Sequence, residues 1–259
     1  MNAMINDWLD IEEADHGVRK RLFVLAEREG ARAAVRTALV ERVRAHYDDP
    51  RHITDDIAEL GFPGAAAILR ERLPTELKSR SGEVGEILAT EFIEHQTGFR
   101  IPVRRLRYKD GREMALRGDD FVGIEEVDGR LSYLKGESKS GKAMGAAVIT
   151  TARTRLGDDE GRPTPISLLF LADRLLEGGA EDGALGRQIR NAVGRGTIRA
   201  RDVTHGLFTL TGNDRRADLE ADLDAADDAY GHVSVNLRIN DHQAFIAWIY
   251  GEAENLGND

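Results

Sequence analysis

The sequence predicts an α/β fold in which a mixed, partly α+β-like sheet is flanked by helices and preceded by a helical subdomain. Three observations support this prediction. The first 79 residues show helical periodicity, the remainder alternates strand and helix patterns, and an Asp128-Gly129 pair separates two strand-like runs. We therefore expect an N-terminal helical subdomain at residues 1–79 and a larger α/β domain at residues 80–259.

The N-terminal part is predicted to consist of helices. Residues 18–47 are rich in Ala, Arg and Glu, their apolar residues recur near a 3.6-residue period, and Gly30 interrupts the pattern, so two helices are expected. Two shorter helices follow, TDDIAEL with Thr54 as the N-cap and PGAAAILRERL opened by Pro63. These residues contain no catalytic constellation, so we expect them to serve packing or partner contact.

After Ser81 the pattern changes to alternating helices and strands. SGEVGEILATEFIEHQTG predicts a helix with Val84, Ile87 and Phe92 on one face. Strand patterns follow in IPVRRLRY, DDFVGIEE and LSYLKGESK, the last two forming a hairpin, and a helix is expected over KAMGAAVITTARTRL. The fully apolar PISLLFLAD predicts a buried strand. GALGRQIRNAV predicts a helix, THGLFTLTG and HVSVNLRI two strands, and HQAFIAWIYGEAENL a closing helix.

Composition limits the classes of site. The 259 residues include no cysteine, which excludes disulfides and thiolate metal ligands. The seven histidines form no His-x-His or His-Glu-x-x-His pattern, so a zinc hydrolase is not predicted. The N-terminal segment lacks the basic start and apolar run of a signal peptide, and no stretch reaches transmembrane length. We therefore expect a cytoplasmic protein with no membrane contact.

Charge is distributed unevenly along the chain. The formal net charge of -10 argues against autonomous nucleic-acid binding, because phosphate binding depends largely on Lys and Arg. Between Arg100 and Arg155, however, 13 Lys and Arg stand against 8 Asp and Glu, whereas Asp214 to Asp228 contains seven acids. Such a basic block is compatible either with a polyanion site on one face or with an ordinary mixed surface.

One segment, GESKSGK at residues 136–142, fits two patterns. As a phosphate-binding loop it has the Gly-x4-Gly-Lys spacing, a strand before it, a helix after it, and a later apolar run ending in Asp173. Against this interpretation, Ala143 stands where a Mg-binding Ser or Thr is expected. The preceding strand is also the second arm of a hairpin rather than the first strand of a parallel unit.

As the edge of a nuclease strand, the same segment supplies different groups. Residues two apart on a strand share a face, so Glu137 and Lys139 would point together into one site, and the Ser138 carbonyl could add a metal ligand. Asp120, just before the partner strand, could approach the same metal. Metal-dependent phosphodiester cleavage needs converging carboxylates and a nearby cation, which this set provides.

A further acid is expected from the helix that begins near Ser81. Glu86 lies in line with Gly82 and Ala89, small residues that would let the helix approach the sheet and deliver the carboxylate. Glu83 is the alternative, although an acid in the first turn also complements the helix dipole.

The motifs RSGEVGE, GDDF and GESK, in this order, resemble the PD-(D/E)xK nuclease superfamily, which implies a restriction-endonuclease-like core. The stretch IPVRRLRYKDGREMALRGDDFVGIEE and the later LSYLKGESKSGKA resemble the HamA family more closely, the nuclease subunits of bacterial Hachiman anti-phage systems. The likeness covers roughly residues 80–151. It implies a DNase dependent on Mg²⁺ or Mn²⁺ that works with a helicase subunit (HamB-like), which engages DNA and restrains or releases the nuclease.

The resemblance also implies roles for individual residues. Asp120 and Glu137 match the metal-binding acids, Lys139 matches the catalytic lysine, and Glu86 matches the helix acid. GDD offers both Asp119 and Asp120; Asp120 is preferred because it directly opens the apolar run, and Asp119 is interpreted as a supporting acid. Basic residues near these motifs are candidate DNA contacts: Arg104, Arg105, Arg107, Lys109, Arg117 and Lys142.

Three functions of different classes remain open from the sequence. The first is a metal-dependent nuclease effector with a helicase partner. The second is a nucleotide-binding module that uses GESKSGK. The third is a nuclease-like fold without activity that acts as a structural subunit.

Overall fold

The computed structural model describes the backbone of residues 2–257 and the side chains of residues 4–257. The described chain is a mixed α/β structure built on one sheet of six strands. The strands are β1 (Leu9–Asp15), β2 (Lys20–Glu27), β3 (Phe121–Val127), β4 (Arg130–Gly141), β5 (Val203–Thr211) and β6 (Gly231–Arg238). The helices are α1 (Asn2–Trp8), α2 (Ala31–Ala34), α3 (Arg36–Tyr47), α4 (Pro50–Arg72), α5 (Leu77–Gln96), α6 (Ala146–Gly157), α7 (Pro165–Leu176), α8 (Ala180–Arg195), α9 (Arg216–Ala225) and α10 (His242–Glu254). The predicted fold class is confirmed.

The sheet has the strand order β1-β2-β6-β5-β4-β3, parallel in its middle and antiparallel at both edges. At one edge β3 and β4 form the predicted hairpin. Asp128 and Gly129 have φ angles of 53° and 72°, the left-handed conformation that a tight hairpin turn requires at both central residues. This turn fixes the register of β3 against β4 and thereby places Asp120 beside Gly136 and Ser138 of the GESK segment.

Helices cover both faces of the sheet. On one face α3, α5 and α10 pack over an apolar core that includes Phe23, Phe92 and Phe208. On the other face α6 and α9 cover a smaller cluster around Leu22 and Leu207. The helical hairpin of α7 and α8 closes a third cluster against β3 and the start of β4. None of the helices within residues 2–257 combines the length and apolar character needed to cross a membrane.

The predicted helix at residues 18–29 is wrong. Residues 20–27 form β2, which pairs with β1 on one side and runs parallel to β6 on the other. Leu22 packs on one face of the sheet and Phe23 and Leu25 on the other, so both faces of this strand are apolar and no clean alternation reveals it. The sheet thus includes residues from both sides of the predicted boundary at residues 79/80; the division into two domains stays a prediction.

The later N-terminal helices are present with different boundaries. The two short helices meet in α4 at Gly61, whose φ of 70° and ψ of 172° interrupt the helix. The N-cap of α4 is Asp49, whose side chain accepts a hydrogen bond from the Arg51 backbone N–H at 3.0 Å. Thr54 therefore does not cap this helix.

The predicted strand PISLLFLAD is also wrong, because these residues belong to α7. Thr164 caps the helix through the Ser167 backbone N–H, Pro165 occupies its first turn, and Leu168, Leu171 and Leu175 are buried at helical spacing. A short apolar run cannot distinguish a buried strand from a buried helix. IPVRRLRY is not a strand either: its second half is a 3-10 helix at Arg105–Tyr108.

Candidate active site at the end of strand β4

The end of β4 extends past its neighbour β3. Their pairing ends at Phe121 and Gly136, whereas pairing with β5 continues to Gly141 and Thr211. Residues 137–141 therefore have a neighbouring strand on one side only. The chain enters β3 just beside this open side, since the Asp120 backbone N–H donates to the Gly136 carbonyl at 3.1 Å.

Asp120 occupies the open side of β4. Its carboxylate Oδ2 accepts a hydrogen bond from the Ser138 backbone N–H at 2.8 Å. The carbonyl and N–H of one strand residue point to the same side, so the Ser138 carbonyl also points toward the open side. Lys139 Nζ lies 3.3 Å from this carbonyl oxygen. A carboxylate and a carbonyl oxygen thus share the position where β3 begins.

Glu137 and Lys139 share one face of β4, as their spacing predicts, and their side chains form an ion pair. Glu137 is almost fully buried, with 5% of its surface exposed. Its Oε1 also accepts from Arg155 Nη1 at 3.1 Å, and Arg155 lies near the end of α6. Sequence reasoning did not single out Arg155, because its role depends on how α6 rotates over the sheet.

Burial, together with the nearby Glu137 carboxylate, raises the pKa of Asp120 to about 6. Burial is the largest cause, and the negative charge of Glu137 is the next. The Ser138 N–H and the cationic side chains of Lys139 and Arg105 act in the opposite direction. The site therefore holds two carboxyl groups that repel each other, a situation that a bound cation would relieve.

Glu86 on α5 approaches the same edge from the other face of the sheet. It lines a small pocket together with Arg105, Asp120 and Phe121. Burial raises its pKa well above the usual value, the charge of Asp120 adds to this, and Arg105 opposes it.

Glu83, the alternative helix acid, is committed to internal contacts. Its Oε2 accepts a hydrogen bond from the Tyr47 hydroxyl at 2.6 Å, and its Oε1 forms an ion pair with Lys109. These contacts tie α5 to α3 and to the segment that precedes β3. Because Glu86 shares a pocket with Asp120 while Glu83 does not, the geometry favours Glu86 as the helix acid.

A glycine sets the distance between α5 and β4. A Cβ at Gly85 would lie 2.9 Å from Ser138 Oγ and 3.2 Å from Ser140 Cβ, so only glycine fits without displacing these serines. The helix thus touches the face of β4 that carries Ser138, opposite the face of Glu137. The expected contact through Gly82 is wrong, since a Cβ at Gly82 would meet nothing within 4 Å.

Asp119 points away from this edge and toward α7. Its Oδ2 accepts from the Thr164 backbone N–H at 2.8 Å and from the Thr164 hydroxyl at 3.1 Å, and its own backbone N–H donates to Ser167 Oγ at 2.8 Å. Lys135 Nζ lies 3.9 Å from its Oδ1. These contacts hold the start of α7 against the sheet, and they favour Asp120 as the acid of the site.

The oxygen donors at the edge suit a hard cation chemically, but they do not form a ready-made metal site. Carboxylate and carbonyl oxygens are the ligands that Mg²⁺ and Mn²⁺ prefer. Among the residues the structure describes, however, no three acids or histidines lie close enough together to hold a metal ion. Glu86 and Glu137 approach from opposite faces of β4, and Lys139 and Arg155 are paired with Glu137. Metal binding would require Glu137 to exchange these cations for the metal.

Most of the predicted DNA contacts are engaged within the protein. Arg104 pairs with Glu94 and Lys109 with Glu83. Others with internal partners are Arg105, which donates to the Arg117 carbonyl, and Arg107, which donates to the Ala45 carbonyl and pairs with Asp49. In contrast, Arg117 and Lys142 are exposed, and neither side chain has a hydrogen-bonding or ionic partner within the described part of the chain. These two remain the candidates with free charge near the site.

The GESKSGK segment does not adopt the conformation of a phosphate-binding loop. Residues up to Gly141 are extended and paired with β5, and α6 begins only at Ala146. Asp173, expected at the end of a strand, lies on α7 and pairs with Arg190. The local backbone is that of a strand edge.

Comparison with known proteins gives two matches. The family model described as HamA matches residues 2–253. A relative described as Hachiman protein HamA, from Bacillus cereus, is 26% identical over 182 residues, which cover 70% of this chain and 64% of the relative. The matched region therefore spans somewhat less than two thirds of the relative's length.

Proposed function

Because the chain belongs to the HamA family, we propose that it is a divalent-metal-dependent DNA nuclease that hydrolyses phosphodiesters as the effector of a Hachiman anti-phage defence complex. One observation carries the chemical part of this proposal. Asp120, Glu137, Lys139 and the Ser138 carbonyl meet where β4 extends past β3.

The roles follow from the chemistry of each group. Asp120, Glu137 and the Ser138 carbonyl would hold Mg²⁺ or Mn²⁺, with Glu86 as a further acid reached from α5. When bound, the metal would lower the pKa of a water molecule and polarise the scissile phosphate. Lys139 would then place its ammonium beside the water or the phosphate, once it leaves Glu137.

The charge of Arg105 supports the same assignment. Arg105 is partly buried beside Glu86 and Asp120, and its charge lowers the pKa of both acids. It would therefore help to keep these carboxyl groups ionised and able to bind a cation. Its guanidinium donates to the Arg117 carbonyl at 2.6 Å, which positions the charge.

We also propose a helicase partner in the cytoplasm. A chain with a net charge of -10 attracts DNA weakly, and four of the six predicted DNA contacts are engaged internally. Delivery of DNA by a second subunit would offset this weak attraction. The name of the Bacillus cereus relative refers to the Hachiman system, which supports a role within a defence complex.

A structural subunit without activity is the second candidate. The cation pairing of Glu137 favours it, since a carboxylate held by two cations is not free to bind a metal. The two candidates differ in whether metal displaces these contacts.

The experiment that tests the proposal is plasmid cleavage by the purified protein in Mg²⁺, in Mn²⁺ and in EDTA. Each condition is repeated with the proposed helicase partner and ATP. We expect metal-dependent cutting that falls at least a hundredfold in Glu137→Ala and in Lys139→Ala. Lys78→Ala is the matched control, because it removes an exposed lysine near the start of α5 that belongs neither to the proposed metal site nor to the candidate DNA contacts.

The outcomes separate the candidates. Loss in the first two variants with retention in the third supports the nuclease. Cleavage that survives in both Glu137→Ala and Lys139→Ala contradicts the site assignment. No cleavage under any condition, with the complex intact, favours the structural subunit. ATP binding that disappears in Lys142→Ala would instead support the nucleotide-binding alternative.

A further inference from the structure

A cleft lined by arginines lies at the end of the sheet opposite the candidate active site. Its volume is about 570 Å³. It is formed by the β3–β4 turn, the last turns of α8 and the connection from α8 to β5. Four arginines line it: Arg130, Arg195, Arg199 and Arg201.

The cleft carries excess positive charge. Asp202 is its only acidic lining residue, and it lies 3.8 Å from Arg201 Nε. Arg199 donates to the Gly196 carbonyl, which does not neutralise its charge. Within residues 2–257, the guanidinium groups of Arg130 and Arg195 have no hydrogen bond or ion pair, and both side chains are exposed.

This arrangement differs from the other arginines of the chain. Most of them, such as Arg104 and Arg153, pair with carboxylates. In a protein with a net charge of -10, four arginines gathered around one concave surface with a single acid form a local anion-attracting site. Guanidinium groups match phosphate oxygens in geometry and charge.

We propose that this cleft binds phosphate groups of a nucleic-acid strand and anchors it at a distance from the cleavage site. Glu137 follows Arg130 by seven positions on the same strand, so the two sites lie on the order of 23 Å apart. The identity of the ligand as nucleic acid rests on the proposed nuclease function, whereas the phosphate chemistry follows from the cleft itself. Such an anchor would hold the substrate strand on the protein, because the weak positive charge at the end of β4 does not hold it there.

The test measures binding without cleavage. Fluorescence anisotropy with a labelled 15-nucleotide oligothymidylate is recorded in EDTA over a series of salt concentrations, using the full chain. We expect Arg130→Ala/Arg195→Ala to weaken binding at least tenfold at low salt. The slope of log K against log salt should also become shallower by about 1.4, because two phosphate contacts are lost.

Two further variants control for charge alone. Lys78→Ala/Arg51→Ala removes two exposed cations outside the cleft, on α5 and α4, and should leave affinity within about twofold. Arg130→Lys/Arg195→Lys keeps the charge and should keep the salt slope. Circular dichroism confirms that each variant is folded.

The results decide between specific outcomes. Equal binding by the cleft variant and the wild type, or equal weakening by the control pair, overturns the proposal. Competition by ATP or inorganic phosphate as strong as competition by unlabelled oligonucleotide assigns the cleft to a free phosphate ligand and overturns the strand assignment. The binding assay does not depend on cleavage. If the plasmid experiment shows no nuclease activity but the oligonucleotide still binds through the cleft, only the nuclease proposal fails.

Discussion

The Asp120 carboxylate accepts a hydrogen bond from the Ser138 backbone N–H at 2.8 Å, which joins the entry of β3 to the open side of β4. This contact fixes Asp120 near Glu137 and is one of the forces that oppose the rise of its pKa. The same proximity that would suit a shared cation costs free energy when the site holds none, because burial and the Glu137 charge disfavour the ionised form of Asp120.

Asp120→Asn should therefore stabilise the metal-free protein at pH 7.5. The folded-state pKa of Asp120 is about 6, above the value of about 4 for an unfolded aspartate, so the free energy of unfolding falls as the pH rises between these values. Asparagine removes this penalty, up to about 3 kcal/mol, and can still accept from the Ser138 N–H. Urea unfolding in EDTA at pH 7.5 and at pH 4 measures the gain, which should shrink at the lower pH.

Cleavage by Asp120→Asn should fall, although the stability of this variant rises. The same Asp120→Asn variant, more stable than the wild type, should lose at least a hundredfold of its metal-dependent cutting if Asp120 holds the metal. A variant that is less stable at pH 7.5 would contradict the inferred repulsion, and a variant that cuts as fast as the wild type would remove Asp120 from the site.

Asp119→Ala should act through stability instead. It removes the acceptor of the Thr164 N–H and the anion nearest the buried Lys135 ammonium, so we expect a loss of about 2–4 kcal/mol. The effect on cleavage should disappear once the rate is divided by the folded fraction, measured by urea unfolding under the same conditions. A loss of cleavage in fully folded protein would show that Asp119 takes part in the chemistry.

The two-residue period of a strand was enough to predict the main features of the candidate site at the end of β4. Glu137 and Lys139 share a face because strand residues two apart do so, and the Asp128-Gly129 turn fixed the hairpin that brings Asp120 alongside. Arg155 could not be predicted in the same way. Its contact with Glu137 depends on the rotation and distance of α6 over the sheet, which side chains distant in the sequence determine.

The wrong assignments have related physical causes. β2 is buried on both faces, so its sequence shows no alternation, and its Arg, Ala and Glu residues also suit a helix. In α7 the apolar run is equally compatible with a buried strand, and only the capping by Thr164 and the tertiary packing of the helical hairpin distinguish the two. In both cases burial removes the polar face that would reveal the period.

The close approach of α5 to β4 gives a prediction with an internal control. Gly85→Val should lower the free energy of unfolding by about 1–3 kcal/mol, because the new side chain would overlap Ser138 and Ser140. Gly82→Val, one turn away on the same helix, meets open space and should change it by less than about 0.5 kcal/mol. Urea unfolding of both variants provides the comparison, and equal losses would contradict the inferred contact.

The charge of Arg105 should set the pH range of cleavage. Because Arg105 lowers the pKa of Asp120 and Glu86, Arg105→Leu should raise both and move the acidic limb of the pH–rate profile to higher pH. Arg105→Lys retains a positive charge and should shift the limb less. Rates of plasmid cleavage at saturating Mg²⁺ between pH 5.5 and 9 would measure this.

The position of the limb separates an electrostatic role from a purely structural one. If Arg105 only supports the fold through its bond to the Arg117 carbonyl, both variants should lower the rate equally at every pH and leave the limb in place. If the charge of Arg105 instead favours ionisation of Asp120 and Glu86, the loss of cleavage rate in Arg105→Leu should become smaller as the pH rises. At high pH both acids ionise without its help. A limb that moves to lower pH in Arg105→Leu would contradict the inferred charge compensation.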